Sequence, residues 1–190
     1  MIRVVVVDDH PAIRAGLLSV LRTEPGLVPV GGAGGDPEVW PVLYRARPDV
    51  VLLDYQLKGD DGLAICHRLK RGLLPPRVVV YSAYADGALA IPAAVAGADG
   101  VVSKDTPVTE LFEAIRRVVN GETVWPPMTA EARRLAAERL DAEDVPVLAM
   151  LLGGHAPADI AEALRCEIDA VGAAIERILG RLRGPVAGAL

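Results

Sequence analysis

The stretch RVVVVDD, residues 3–9, places four valines in succession before two adjacent aspartates. A short run of apolar, β-branched residues is typical of a strand that is buried on both faces of a parallel sheet. Three further apolar runs are each followed by a reactive polar residue. They are residues 49–53 before Asp54, residues 77–81 before Ser82, and residues 100–102 before Ser103 and Lys104. The sequence therefore predicts a set of buried strands that all end in polar residues.

Helical patterns separate these strands along the chain. The first helix is predicted from Pro11 to about Arg22, because proline suits the first position of a helix, where its missing N–H is not needed. A weaker strand over residues 27–32 follows, and strand and helix then alternate up to residue 121. Five repeats of this alternation predict a doubly wound α/β domain with a five-stranded parallel sheet over residues 1–121.

Residues 122–139 are predicted to form a linker and a connecting helix. The two prolines that follow Trp125 resist both helix and sheet, so the chain should be irregular there. Thr129 is a suitable N-cap for the connecting helix, which we expect to end near Leu140.

Residues 140–190 are helical in pattern and form the predicted second domain, which is small and all-α. We expect Asp141 to cap a helix that runs to Leu152. A short helix over residues 156–164, a tight turn and a longer helix over residues 167–183 then make a helix-turn-helix layout.

The composition limits the class of protein. Of the 190 residues 52% are hydrophobic, which is enough for a packed core, but no apolar stretch approaches the roughly 20 residues of a membrane span. The N-terminus becomes acidic too early for a signal peptide. Cys66 and Cys166 lie far apart without metal-binding spacing, so we expect reduced thiols in a cytoplasmic protein with no membrane partner.

The charge of the chain is useful when it is divided between the two parts. Residues 129–190 contain seven arginines against ten acidic residues, a net charge of −3, and residues 1–128 contain thirteen basic against fifteen acidic residues. Neither part is basic overall. This matters because contacts with phosphates usually dominate the affinity of a protein for nucleic acid.

The polar residues at the strand ends predict a phosphoryl-transfer site. Ligands gather beyond the carboxyl ends of the strands in an open α/β sheet. Asp8, Asp9 and Asp54 would repel one another there without a cation, and clustered carboxylates suit Mg²⁺. Asp54 can attack a phosphoryl group, while Lys104 can neutralise its charge and Ser82 can donate a hydrogen bond. Helix caps and a structural salt bridge explain each residue alone, but the whole set favours phosphoryl transfer.

Four segments of the chain together resemble the receiver domain of bacterial two-component response regulators, which has a flavodoxin-like fold. They are residues 4–9, 50–54, 80–83 and 97–105. The resemblance implies that Asp54 accepts a phosphoryl group from a sensor histidine kinase and that Ser82 and Lys104 bind this group. It also implies a Mg²⁺ site made by Asp8, Asp9, Asp54 and the main-chain carbonyl of Gln56. The protein would then be a regulator and not an enzyme.

The sequence departs from the receiver pattern at two positions. Receivers usually carry an aromatic residue three positions before the lysine, and its rotation reports phosphorylation, but this chain has Val101 there. Lys58 stands where a proline is common after the phosphorylation site. The site chemistry should survive both changes, whereas the usual route from the phosphate to the output is altered.

Residues 140–184 resemble the LuxR-type helix-turn-helix of the NarL/FixJ class of response regulators, mainly at core and turn positions such as Ile160 and Val171. In that class polar and basic residues surround the central valine of the recognition helix. This chain has four small residues there instead, none of which can contact a phosphate or make a bidentate contact with a base. They are Ala170, Gly172, Ala173 and Ala174.

Three hypotheses for the output follow. The favoured one is a homodimeric transcriptional regulator that binds DNA through the remaining arginines. The second is a helix-turn-helix that has lost specific DNA binding and serves as a dimerisation or protein-interaction domain. The third is a receiver that acts alone as a phosphate sink beside a structural helical bundle. The candidate DNA-binding residues are Arg165, Arg177, Arg181 and Arg183.

Overall fold

A computed structural model describes residues 1–182 of the chain, so the predicted DNA contact Arg183 lies outside the described residues. Its strands are β1 (Ile2–Val7), β2 (Leu27–Ala33), β3 (Val50–Leu53), β4 (Gln56–Leu57), β5 (Asp60–Asp61), β6 (Arg77–Ser82) and β7 (Gly100–Ser103). Five of them form one parallel sheet in the order β2-β1-β3-β6-β7. The predicted doubly wound domain is therefore confirmed. The antiparallel hairpin of β4 and β5 was not predicted.

The valines of β1 explain why this sheet is covered on both faces. Val5 and Val7 belong to one hydrophobic core and Val4 and Val6 to the other, and each is at most 1% exposed. Successive side chains of a strand point to opposite faces, so a continuous apolar run can feed two cores at once.

Nine helices complete the described chain. They are α1 (Pro11–Thr23), α2 (Asp36–Ala46), α3 (Gly62–Lys70), α4 (Gly87–Val95), α5 (Val108–Val119), α6 (Ala130–Glu138), α7 (Val145–Leu152), α8 (Pro157–Leu164) and α9 (Ile168–Leu182). Pro11 opens α1 and the Thr129 side chain caps α6, as predicted, accepting the N–H of Ala132 at 3.0 Å. None of these helices is long and apolar enough to cross a membrane.

The predicted start of α7 was wrong. Asp141 does not cap this helix, which begins four residues later at Val145 and carries Pro146 in its first turn. Proline suits the first turn of a helix, where its missing N–H is not needed, and in the helix interior it would remove a hydrogen bond to the preceding turn. Asp141 instead accepts a hydrogen bond from Arg181 in α9.

The helices α6 to α9 form a bundle that packs against the α/β domain. Its centre is made by Val147, Ile160, Val171 and Ile178, all buried. The bundle meets the α/β domain mainly at α4, which contacts α6, α7 and α9. An ion pair between Arg71, which follows α3, and Glu176 of α9 also joins the two parts at 3.1 Å.

Candidate functional site

Two carboxylates and one ammonium form the centre of the site at the carboxyl edge of the sheet. Asp8 follows β1 and Asp54 follows the neighbouring β3, and their exposed fractions are only 1% and 5%. The Lys104 Nζ atom lies 2.8 Å from Asp8 Oδ2 and 2.7 Å from Asp54 Oδ2. The parallel register places these residues together, as the sequence predicted, because all three follow strands that end at the same edge.

Asp9 and His10 extend the carboxylate pair into a candidate metal-binding set. One ligand atom from each of Asp8, Asp9, His10 and Asp54 lies within 4.8 Å of the others. The His10 Nδ1 atom is 2.8 Å from Asp9 Oδ1. Sequence reasoning did not select His10, although its position directly after Asp9 was a signal that could have found it.

The other two predicted site residues lie at the same edge but make different contacts. The N–H of Gln56 donates to Asp54 Oδ1 at 3.3 Å. Ser82 ends β6, beside β3, and its Oγ atom accepts the N–H of Tyr84 at 3.1 Å. The main-chain N–H of Lys104 donates to the carbonyl oxygen of Ser82 at 2.9 Å, so Lys104 and Ser82 are directly linked through the backbone.

The backbone after Asp54 is held close to the N-terminus of α3. A Cβ atom on Gly62 would collide with the carbonyl oxygens of Asp54 and Tyr55, so a larger residue would displace this part of the site. The Asp61 side chain caps α3 by accepting the N–H of Leu63 at 2.8 Å. The β4–β5 hairpin thus joins the strand end to a capped helix.

The charges at the site are unbalanced. Burial raises the pKa of Asp54 above its ordinary value, while the hydrogen bond and charge of Lys104 act in the opposite direction. Burial alone disfavours the charged form of Lys104, but its hydrogen bonds to Asp54 and Asp8 outweigh this and raise its pKa. One ammonium contacts two of the carboxylates, and a third, Asp9, lies beside them, an arrangement that attracts a further cation. Oxygen donors of this kind suit a hard divalent ion such as Mg²⁺.

The predicted DNA-binding arginines lie apart from this site, and two of them are engaged within the helical bundle. Arg177 pairs with Asp144, whose side chain is completely buried, at 2.6 Å, and Arg181 pairs with Asp141. Both pairs tie α9 to the turn before α7. Arg165 is exposed in the turn between α8 and α9, where its φ angle is 53°.

Comparisons with known proteins point to one family. A family model described as the response regulator receiver domain matches residues 4–116. The transcriptional regulatory protein LiaR of Bacillus subtilis (strain 168) is 28% identical over 192 aligned residues, covering 96% of this chain and 91% of LiaR. The DNA-binding transcriptional activator DevR/DosR of Mycobacterium tuberculosis (strain ATCC 25618 / H37Rv) is 34% identical, covering 74% of this chain and 67% of DevR/DosR.

A solved structure supports the same conclusion. The crystal structure of a LuxR-family two-component response regulator from Aurantimonas sp. SI85-9A1 matches with a TM-score of 0.63. It is 28% identical in sequence, and the match covers 74% of this chain and 99% of that chain.

The contacts of Lys104 generate a prediction about Asp54. We expect Lys104→Gln to raise the pKa of Asp54 further in metal-free buffer, because the substitution removes the charge that opposes the effect of burial. Titration of the side-chain carboxyl carbon by NMR measures this. Lys58→Gln is the matched control, since Lys58 is exposed and close in sequence to the site. An unchanged pKa in Lys104→Gln would contradict the electrostatic description.

Proposed function

Because this chain belongs to the two-component response regulators of the NarL/FixJ class, we propose that it is phosphorylated on Asp54 and regulates transcription by binding DNA. The observation that carries the proposal is the bridge from Lys104 to the buried carboxylates of Asp8 and Asp54. The phosphoryl donor would be a sensor histidine kinase. The proposed division of the chain is a receiver over residues 1–121, a linker and connecting helix over residues 122–139, and a LuxR-type domain over residues 140–190.

The two oxygens of Asp54 have different roles in the proposed reaction. Lys104 holds Oδ2, whereas Oδ1 receives only the long hydrogen bond of 3.3 Å from Gln56. Oδ1 is therefore the oxygen that attacks the phosphorus atom, and the bond from phosphorus to the histidine nitrogen of the kinase breaks. Lys104 and Ser82 then stabilise the charge of the phosphoryl oxygens.

The acidic set fits a Mg²⁺ ion as the partner of this reaction. Asp8, Asp9, Asp54 and the carbonyl of Gln56 would hold the ion. When bound, Mg²⁺ supplies positive charge that lets a carboxylate and a phosphoryl group approach each other. The one ammonium of Lys104 cannot by itself balance three carboxylates.

DNA binding by this chain would depend on few charges. The ion pairs of Arg177 and Arg181 use two of the four arginines that were candidates for DNA contacts. The face of α9 that carries Glu176 also lies towards the receiver. We therefore propose that one bundle binds DNA weakly and that a homodimer, which joins two weak contacts, is the binding form.

A protein-interaction output is the second candidate function. Ala170 is exposed on α9, and Ile168 at the start of the same helix is 55% exposed. Small and apolar exposed side chains suit contact with another protein better than contact with phosphates. The phosphate-sink hypothesis has no structural observation of its own in its favour.

The first prediction from this function concerns the phosphoacceptor. Incubation with Mg²⁺ and acetyl phosphate should label the wild-type protein once, and Asp54→Asn should abolish the label because the amide is not a nucleophile. A phosphate-affinity gel measures the labelled fraction. Asp105→Asn, which changes an exposed aspartate next to Lys104, should be labelled like the wild type. Equal labelling of Asp54→Asn would exclude Asp54 as the acceptor.

A second prediction concerns the metal. Mg²⁺ should raise the melting temperature, since it binds the folded state, and the free energy of unfolding should rise by about 2.7 kcal/mol at roughly 100 times the dissociation constant. Asp9→Ala should greatly reduce this Mg²⁺-dependent shift, whereas Asp105→Ala should keep it. Differential scanning fluorimetry with and without Mg²⁺ gives the comparison. No shift in the wild type at millimolar Mg²⁺ would argue against the proposed metal site.

A third prediction concerns DNA. Phosphorylated full-length protein should bind its own promoter region weakly, with a shallow dependence on salt, and Arg165→Ala should lower the salt slope by about 1 for each lost phosphate contact. Fluorescence anisotropy over a range of salt concentrations measures both. Arg45→Ala in α2 is the matched control, because Arg45 is exposed on the receiver. Tight, steeply salt-dependent binding would refute the weak-contact description, and no binding would favour the protein-interaction output.

A further inference from the structure

The linker after α5 pairs with the edge of the receiver sheet. The N–H of Val124 donates to the carbonyl oxygen of Asp99 at 3.0 Å, and the carbonyl of Val124 accepts the N–H of Val101 at 2.8 Å. This parallel bridge joins Val124 to Gly100 of β7, which is one of the two outer strands of the sheet. Backbone groups at a sheet edge need partners, and here the linker supplies them. The predicted irregular linker is thus attached to the receiver.

Two glycines of the receiver make room for the linker. A Cβ atom on Gly100 would lie 2.7 Å from the carbonyl oxygen of Val124, closer than side-chain carbons are found in proteins. A Cβ atom on Gly87, at the start of α4, would collide with the carbonyl oxygen of Pro127. Neither glycine has a positive φ angle, so close approach of the linker, and not backbone conformation, accounts for both.

Trp125 of this linker lies between the carboxyl edge of the sheet and the helical bundle. It lines a cavity of about 380 Å³ together with Val101, Ala85 and Thr106. It also lines a larger cavity of about 620 Å³ between α4 and the helical bundle, together with Ile175 of α9. Ala85 lies three residues after Ser82, so the smaller cavity reaches the loop that follows the predicted phosphoryl ligand.

We propose that Trp125 is the aromatic residue that transmits the phosphorylation state of Asp54 to the helical bundle. This inference rests on the function proposed above. Val101 brings no aromatic ring to the cavity, and Trp125 supplies one from the linker. When the Ser82 hydroxyl turns from the N–H of Tyr84 to a phosphoryl oxygen, the loop up to Ala85 moves at one wall of the cavity. The indole of Trp125 then repacks, and the linker carries this shift to α6.

Fluorescence of the full-length protein tests the inference, because the chain contains only two tryptophans. Trp40→Phe leaves Trp125 as the single tryptophan. Addition of Mg²⁺ and beryllium fluoride, a phosphoryl mimic, should shift the Trp125 emission and change its quenching by acrylamide. The same additions should have no effect in the Trp40→Phe, Asp54→Asn double variant.

Acetyl phosphate and a phosphate-affinity gel, run on the same samples, separate the two possible failures. Phosphorylation without any change in Trp125 emission would overturn this inference and leave the proposed phosphorylation of Asp54 intact. Absence of phosphorylation would overturn the proposed function and the inference together.

Variants at Gly100, which approaches the linker closely, and at Val101, which lines the cavity, complete the experiment. Gly100→Ala in the Trp40→Phe background should displace Val124 and increase acrylamide quenching of Trp125 before any phosphorylation, while the labelled fraction on the gel stays normal. Gly16→Ala is the matched control, since a Cβ atom there would meet no atom within 4 Å. Val101→Phe should place a competing aromatic ring in the cavity and abolish the phosphorylation-dependent shift. Wild-type quenching in Gly100→Ala, or a wild-type shift in Val101→Phe, would contradict the inference.

Discussion

The position of the Lys104 ammonium between two buried carboxylates is the constraint on which the rest of the receiver depends. Asp8 and Asp54 are almost inaccessible to solvent, and two neighbouring buried charges of the same sign are stable only with a partner. Lys104 reaches both at hydrogen-bond distance only because β1, β3 and β7 end at one edge of the sheet. The sheet topology and the charge balance of the site therefore support each other.

Asp99 has a comparable role at the opposite end of β7. Its side chain accepts hydrogen bonds from Lys70 at 2.6 Å, from Arg77 at 2.8 Å and from the N–H of Val78 at 2.8 Å. Its carbonyl oxygen accepts the N–H of Val124. One buried residue thus joins α3, β6 and the linker, and it holds the linker against the sheet before the helical bundle begins at Ala130.

The helical bundle shows why a count of charges does not define a binding surface. The completely buried Asp144 requires a cation, and Arg177 supplies it across the bundle. Arg181 and Asp141 make a second pair between the same elements. These arginines stabilise α9 against the turn before α7, so the number of arginines on this helix overstates the positive charge available to DNA.

The sequence by itself determined the alternation of strands and helices and the edge at which Asp8, Asp54 and Lys104 meet. These features follow from hydrophobic runs and from the regular geometry of a parallel sheet, both of which can be recognised along the chain. The sequence also predicted Thr129 as the N-cap of α6, because capping depends on residues within one helical turn.

Only the tertiary structure decided which distant residues meet. His10 belongs to the acidic set, Arg177 forms an ion pair with Asp144, and Pro127 packs closely against Gly87. Each of these contacts depends on side-chain and backbone positions in three dimensions. Asp141 was predicted to be a helix cap but pairs with Arg181, forty residues away. Local preferences cannot predict such contacts, because their energy depends on the packing of elements that the sequence alone does not place beside one another.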